Sequence, residues 1–466
     1  MDWLTNYTDE HKLELEQLLE TRSWRETLDS GLVEEVKAEG IKPGPTRDYI
    51  DTVVNQLLEF NEKKVKSLIK KDSREEEYLF KELSRWPENL EGKDPVLSFV
   101  GLNLTAACNF EPKCLYCNQP FTKPLVDLTG WKKIISEITA RDGKKDGTYI
   151  YITGGEPLLL KEDIWGDEGL VRFATEKGAA VNINTNASFL TPEVALRLVK
   201  AGLSKLHVSL DTADRNLQNQ LFGGERFDLV MEGMYNVQIA RDLVGASYPV
   251  IHTNCVLTNR NIDLVPQLLS FILQKCKQAV SLRDPFYNDM FPHVVPVGGA
   301  SNDFLRPTRE EFRRFYEEVW PDVSKLWDDF QAGHGVPKER RGVLFGYFSN
   351  PYLRVKHKGG LDAYVKTSEE GRYGQLALSD YCYVAPTQAS FSPDGVQYRC
   401  GSHAIRRILP TGDFNNGGVF HNIRQGVNRH DRLPDAERCY GCALATLYIN
   451  QDVESKLKKK LKSMLE

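Results

Sequence analysis

Asn103–Gln119 reads NLTAACNFEPKCLYCNQ. Its first residues finish an apolar run, Val96–Leu104, whose length and composition predict a strand. Three cysteines follow at once, Cys108, Cys114 and Cys117, with five residues in the first gap and two in the second. No fourth ligand stands nearby in sequence. A structural zinc site closes with four ligands, commonly as two pairs, and a disulfide needs two thiols. Three thiolates suit a [4Fe-4S] cubane, which then keeps one iron open to a substrate.

Outward from this loop, strand and helix patterns alternate. Strands are predicted at Val96–Leu104, Thr148–Thr153, Ala180–Asn184, Lys205–Leu210, Val250–Leu257 and His293–Val297. Between them lie helical stripes. Thr129–Ile138 carries a Thr cap and then Trp131, Ile134, Ile135 and Ile138 on one face. Thr191-Pro192-Glu193 opens another helix, with Pro at its first position and Gly202 as its stop. Such an order predicts parallel, right-handed βα units, whose functional residues gather where strands end. The strand ends carry Gly154-Gly155-Glu156-Pro157, Asn184-Thr185-Asn186-Ala187, Ser209-Leu210-Asp211, Thr258-Asn259-Arg260-Asn261 and Pro296-Val297-Gly298. Two adjacent glycines let backbone approach a ligand closely.

Composition limits the rest. At 466 residues and 41% hydrophobic, the chain can bury a sizeable core and is long enough for more than one domain. A net charge of −5 argues against nucleic acid as the main partner. No apolar run is long enough for a membrane span, and the N-terminus lacks the basic start and apolar core of a signal peptide. A cytoplasmic location follows as an expectation, and nine cysteines there point to metal or clusters rather than disulfides.

Residues 1–92 read as a helical extension. Ile50, Val53, Val54, Leu57 and Leu58 share one helix face, Leu13, Leu15, Leu18 and Leu19 mark an earlier helix, and Gly40–Pro45 separates the two. A helical cap packed on the rest of the chain is the expectation, with partner docking as the alternative. Residues 304–380 read as a linking segment. It has a helix over Arg309–Asp328, then Phe345, Tyr347, Phe348, Tyr352, Arg354, Lys356, His357 and Lys358, a mixture that suits either packing onto the barrel or an anionic ligand. Residues 451–466 predict a closing helix with Val453, Leu457, Leu461 and Met464 on one side. Cys255 and Cys276 fall within apolar patterns and read as small buried hydrophobes.

A second cysteine set lies in 381–450. Cys382 and Cys400 flank a hairpin that turns at Pro393-Asp394-Gly395, and Cys439 and Cys442 form a later pair. Two elements that each supply two thiolates make a closed four-ligand site, open by spacing to zinc or to iron–sulfur.

The cysteine loop, the Gly-Gly-Glu-Pro strand end and their order resemble the radical S-adenosylmethionine (SAM) enzymes across about 95–450. The spacing departs from that family, which has three residues between its first two cysteines. The C-x12-G-x4-C…C-x2-C pattern resembles the auxiliary-cluster region of the SPASM/Twitch branch, in its short one-cluster form. The resemblance implies an α/β fold, a (β/α)6 partial barrel over 93–303, with a small C-terminal cysteine-rich auxiliary domain. It implies SAM and two [4Fe-4S] clusters as cofactors. Cys108, Cys114 and Cys117 then ligate the catalytic cluster, while Cys382, Cys400, Cys439 and Cys442 ligate the auxiliary one. Tyr116, Gly154, Gly155, Glu156, Pro157, Asn184, Ser209 and Asp211 then serve as SAM-binding positions, with Glu156 on the methionine amino group. The implied chemistry is reductive cleavage of SAM to a 5′-deoxyadenosyl radical, followed by hydrogen abstraction, with a reductase or flavodoxin-type electron donor. A small biosynthetic intermediate, oxidised or rearranged, is the expected substrate. A peptide or protein side chain is the alternative, disfavoured by the lack of a strand-pair leader-binding pattern in 1–92. A metal-binding scaffold without catalysis, with zinc at the C-terminal site, is the reading from another class.

Overall fold

A strand followed by a crossover helix returns the chain to the same end of the sheet, so successive strands pair in parallel. The computed structural model describes residues 2–44, 49–69, 94–119, 126–139, 148–276, 291–297, 300–341, 360–371, 382–429, 439 and 444–465. Within it, β1 (Phe99–Thr105), β2 (Tyr149–Gly154), β3 (Ala180–Thr185), β4 (Lys205–Ser209), β5 (Val250–Leu257) and β6 (Phe291–Pro296) pair in parallel in chain order. This is the order of a (β/α)6 partial barrel. One face of the strands, with Val100, Leu102, Ile150, Ile152, Val181, Ile183, Leu206 and Val208, is buried in the main hydrophobic core.

Two boundaries move for local reasons. Val96 and Leu97 precede β1 instead of opening it. The backbone of Val96 is paired by a side chain, with its N–H donating to Gln56 Oε1 (2.9 Å) and its carbonyl accepting from Gln56 Nε2 (3.1 Å). The helix expected at Thr129 runs over Leu128–Thr139, and Asp127 rather than Thr129 meets its first turn, accepting from Gly130 N at 2.8 Å. The helix Pro192–Lys200 follows the expected plan. Thr191 accepts from Val194 N, Pro192 stands first, and Gly202 takes the left-handed φ of 75° beyond its end.

The sheet does not stop at six strands. A seventh, β7 (Gln388–Phe391), pairs in parallel with β1, from Phe99↔Gln388 to Leu102↔Phe391. Beyond it, β8 (Val396–Tyr398) and β9 (Pro410–Asp413) pair antiparallel. The hairpin expected at Pro393-Asp394-Gly395 is present, with Gly395 at φ 83°. The sheet thus crosses the expected boundary at residue 381 without interruption.

The N-terminal segment is helical over Asp9–Leu19, Arg22–Asp29, Leu32–Glu39, Tyr49–Phe60 and Glu62–Ile69. It is fastened to the outside of the barrel by buried polar contacts. Tyr7 Oη donates to Asp242 Oδ2 (2.6 Å), Trp24 Nε1 donates to Asn236 Oδ1 (2.7 Å), and His11 Nε2 meets Gln238 Oε1 (2.9 Å). All three partners lie on the helix Phe227–Leu243. Trp24 is fully buried, so Trp24→Ala should destabilise the chain by about 3–5 kcal/mol; denaturant titration checks this, and a loss below about 1 kcal/mol contradicts the packing role.

The linking helix runs from Arg309 through Gly333, with a π-helical turn at Phe315–Val319. The aromatic and basic set Phe345–Lys358 lies outside the described residues. The closing helix starts earlier than expected and spans Leu444–Leu465, burying Val453, Leu457 and Leu461 while Met464 is exposed. Cys255 and Cys276 are buried, as their apolar surroundings predict.

Candidate functional site

The C-terminal end of β1 leads directly into the cysteine loop. There the loop borders a cavity of about 370 Å³, lined by Cys108, Cys114, Tyr116 and Cys117 together with Gly154, Gly155, Asn184 and Ser209. The volume falls in the range of small-molecule sites. Eight positions from four strand ends, spread over about a hundred residues of sequence, thus meet at one place.

The two glycines make the approach possible. Gly155 N donates to Thr105 O (2.7 Å) and Glu156 N to Ala107 O (2.8 Å). A Cβ at Gly155 would press into the Ala107 carbonyl. Gly154 takes φ 150°, in the range that favours glycine. The end of β2 is therefore pinned to the residues just before Cys108.

Glu156 follows the glycine pair at the end of β2. It is fully buried and does not line the cavity. Its Oε1 accepts from Leu158 N (2.9 Å) and Thr185 Oγ1 (2.8 Å), and its Oε2 accepts from Asn186 N (2.8 Å). Both oxygens are engaged by the chain because the strand-end turn aims three donors inward. Burial pushes the carboxyl up to about 7, against the pull of those three hydrogen bonds. Pro157 opens the short helical turn after it and likewise lies off the cavity.

Asp211 also stands behind the cavity wall. Tyr116 Oη donates to its Oδ2, and Val256 N donates to its Oδ1 at 2.7 Å. Its own backbone N–H is fixed by Gln218 Oε1 (2.9 Å) and its carbonyl by Asn261 Nδ2 (2.9 Å). Asp211 thus ties the ends of β4 and β5 to the cysteine loop. Burial raises its carboxyl from 3.8 to about 7, opposed by the Tyr116 and Val256 hydrogen bonds. A carboxyl raised by folding favours the folded state below its ordinary value and loses that advantage as pH rises through the folded one. Wild-type stability should therefore fall between pH 3.8 and about 7 relative to Asp211→Asn. Thermal unfolding of both proteins across that range checks it, and parallel curves would contradict it.

The Cys108 thiol has two donors aimed at it. Phe110 N (3.5 Å) and Asn186 Nδ2 (3.7 Å) donate to Cys108 Sγ. Burial raises the Cys108 and Cys114 thiols, and the charge of Cys117 adds to both. Bound metal reverses that preference by stabilising thiolates, and N–H donors to sulfur are what surrounds ligating cysteines. The residues present fit an iron–sulfur cluster. Among the described residues, no three His, Cys, Asp or Glu side chains group to hold a single metal ion.

Sequence reading missed Asn103, Phe110, Asn186, Phe222, Val256, Ser392, Pro393, Ala404, Ile405 and Arg407 as cavity-lining residues. Asn186 was visible beside Asn184. Ser392 through Arg407 enter only because β7 pairs with β1, a long-range contact without a local signal.

The second cysteine set is partly described. Cys382, Cys400 and Cys439 are present, and Cys442 lies outside the described residues. Burial pushes Cys400 up to about 12, and the charges of Cys382 and Cys439 contribute. Asn450 Nδ2 donates to Cys382 Sγ (3.7 Å), and His403 Nε2 lies 4.0 Å from Cys439 Sγ. Among the described residues, no helix is long and apolar enough to cross a membrane.

The model of the Radical SAM superfamily matches residues 102–262. The mycofactocin maturase MftC of Mycobacterium tuberculosis is 30% identical over 343 residues, 73% of each chain. The AdoMet-dependent heme synthase of Methanosarcina barkeri is 30% identical over 360 residues, 74% of this chain and 90% of that one. The crystal structure of Streptococcus suis SuiB bound to S-adenosylmethionine superposes with a TM-score of 0.48 at 15% identity, covering 81% of this chain and 78% of that one. With the cysteine loop, the glycine pair and four strand ends gathered at one cavity, the family model and the two 30% identical relatives close the question of family: the chain belongs to the radical SAM superfamily and is an enzyme that uses S-adenosylmethionine and a [4Fe-4S] cluster.

Proposed function

We propose that Cys108, Cys114 and Cys117 ligate the SAM-binding cluster and that the enzyme modifies a side chain of a peptide or protein. When bound, the cluster supplies the electron that cleaves SAM to the radical that removes a hydrogen atom from the substrate. The chain's own part is to hold, orient and exclude water. Gly154 and Gly155 bring backbone to the cavity, Asn184 and Ser209 offer polar groups to SAM, and Tyr116, anchored by Asp211, forms a wall. Glu156 is assigned a positioning role, holding the strand end that carries Asn186. Cys382, Cys400, Cys439 and Cys442 are assigned to the auxiliary cluster. Full cysteine ligation leaves no open iron there, which suits electron relay or structure.

The observation that carries the substrate class is the likeness to a maturase over nearly three quarters of both chains. The position of Ala404, Ile405 and Arg407 on the cavity wall supports it, since Ile405 is 66% exposed and offers an extended chain an apolar contact beside the site. The earlier preference for a small biosynthetic intermediate becomes the second reading, favoured by the likeness to a heme synthase. Anaerobic incubation with SAM, reductant and peptides encoded beside the gene, read by mass spectrometry and 5′-deoxyadenosine release, separates the two. A peptide mass change that depends on Cys108 supports the proposal. Release stimulated only by a low-molecular-weight cell fraction, with every peptide unchanged, overturns it.

A further inference from the structure

The gap between Cys108 and Cys114 is two residues longer than the family's, and the extra chain rests on a built surface. We infer that Arg226 is the positioning residue that holds this long loop and so sets the place of Cys114. The inference rests on the proposed ligand role of Cys108, Cys114 and Cys117.

Arg226 reaches the loop from a distant part of the sequence. Its guanidinium lies 3.9 Å from the centre of the Phe110 ring. Nη2 donates to the Glu111 carbonyl (2.8 Å), and Nη1 donates to the Pro112 carbonyl (3.3 Å) and to Phe222 O (3.1 Å). One planar group thus stacks on one loop residue and reads the backbone of the next two. The fork and the flat face are both properties of arginine; a lysine ammonium has neither.

The surroundings are shaped to the same end. Asn219 Oδ1 accepts from Arg226 N (2.8 Å) and Phe227 N (2.9 Å), which fixes the base of the side chain. Phe110 is buried and packs on Phe222 with ring centres 5.6 Å apart. Gly223, at φ 72°, lets the Lys113 carbonyl come close, since a Cβ there would stand 2.7 Å from that oxygen. Leu115 N donates to Leu221 O (2.8 Å). Contacts therefore follow the loop from Phe110 through Leu115, across the inserted length.

The test uses the reconstituted full-length enzyme and its Arg226→Ala, Arg226→Lys, Phe110→Ala and doubly substituted R226A/F110A forms. The readouts are thermal unfolding, iron loss to a chelator, and the electron paramagnetic resonance change of the reduced cluster on adding SAM. Arg226→Ala should lose loop-held iron about tenfold faster and show an altered SAM response at a near-wild-type unfolding temperature. Arg226→Lys should not restore either, and the double variant should lose little more than Arg226→Ala alone. Should Arg226→Ala fail to fold, Arg226→Lys carries the test by the same readouts. Wild-type iron retention and SAM response in Arg226→Ala, or full rescue by lysine, overturns the inference. The triple alanine variant of the three cysteines separates this from failure of the ligand assignment, because it must lose iron if that assignment is right.

Discussion

Alanine at Cys108, Cys114 and Cys117 together is expected to lower the iron content from about eight to about four per chain and to bring 5′-deoxyadenosine release to background. Release should vanish because three thiols at one cavity leave no substitute ligand set there. The remaining iron should stay because the second cysteine set belongs to a separate stretch of the sequence, from Cys382 to Cys442, that the triple change does not alter. Zinc must be counted beside iron. About four irons with one zinc in the wild type would make the C-terminal site a closed zinc site and remove electron relay through it. Unchanged iron in the triple variant would show that the loop holds no cluster.

Gly155→Ala is the second large effect, and it acts without removing any ligand. The added methyl would press into the Ala107 oxygen, while lying 2.5 Å from that carbonyl carbon and 2.8 Å from Ala106 O. All these atoms are backbone, so no side chain can turn aside. The strand ends must part, and Ala107 is the residue directly before Cys108. Overpacking of this kind costs about 1–3 kcal/mol. The larger loss is expected in catalysis, about a hundredfold in SAM cleavage, because a displacement near 1 Å can cost that much. Gly333→Ala supplies the comparison, since a Cβ there meets nothing within 4 Å. Equal activity of Gly155→Ala and wild type would show that contact between β2 and the loop does not govern the site.

Periodicity made the barrel legible. Strand and helix stripes repeat with different spacing, and six units in a row admit few topologies. The three loop cysteines and the glycine pair were legible because their chemistry restricts residue type. The pairing of β7 with β1 was not, since a four-residue strand far along the chain looks like any other short apolar run. Gln56 taking the place of a strand partner for Val96 was equally hidden, because side-chain capping of an edge has no sequence period. The inward turn of Glu156 was missed for another reason. A carboxylate on a glycine-rich turn suggests a ligand contact, and only the structure shows three donors from its own chain already on it. Asp211 and Arg226 belong to the same class of residue, acting on the loop from behind.

The pairing of β7 with β1 has a mechanical consequence. Val100–Leu102 and Ala389–Phe391 share one backbone ladder, so the cysteine-bearing C-terminal region cannot swing away as a separate body without tearing the strand that delivers Cys108. Amide protons on the two strands should accordingly exchange with solvent in one cooperative step. Electron tunnelling falls off exponentially with separation. A ladder of this kind limits how far the strand before Cys108 and the strand pair leading to Cys400 can move apart, whatever passes between them.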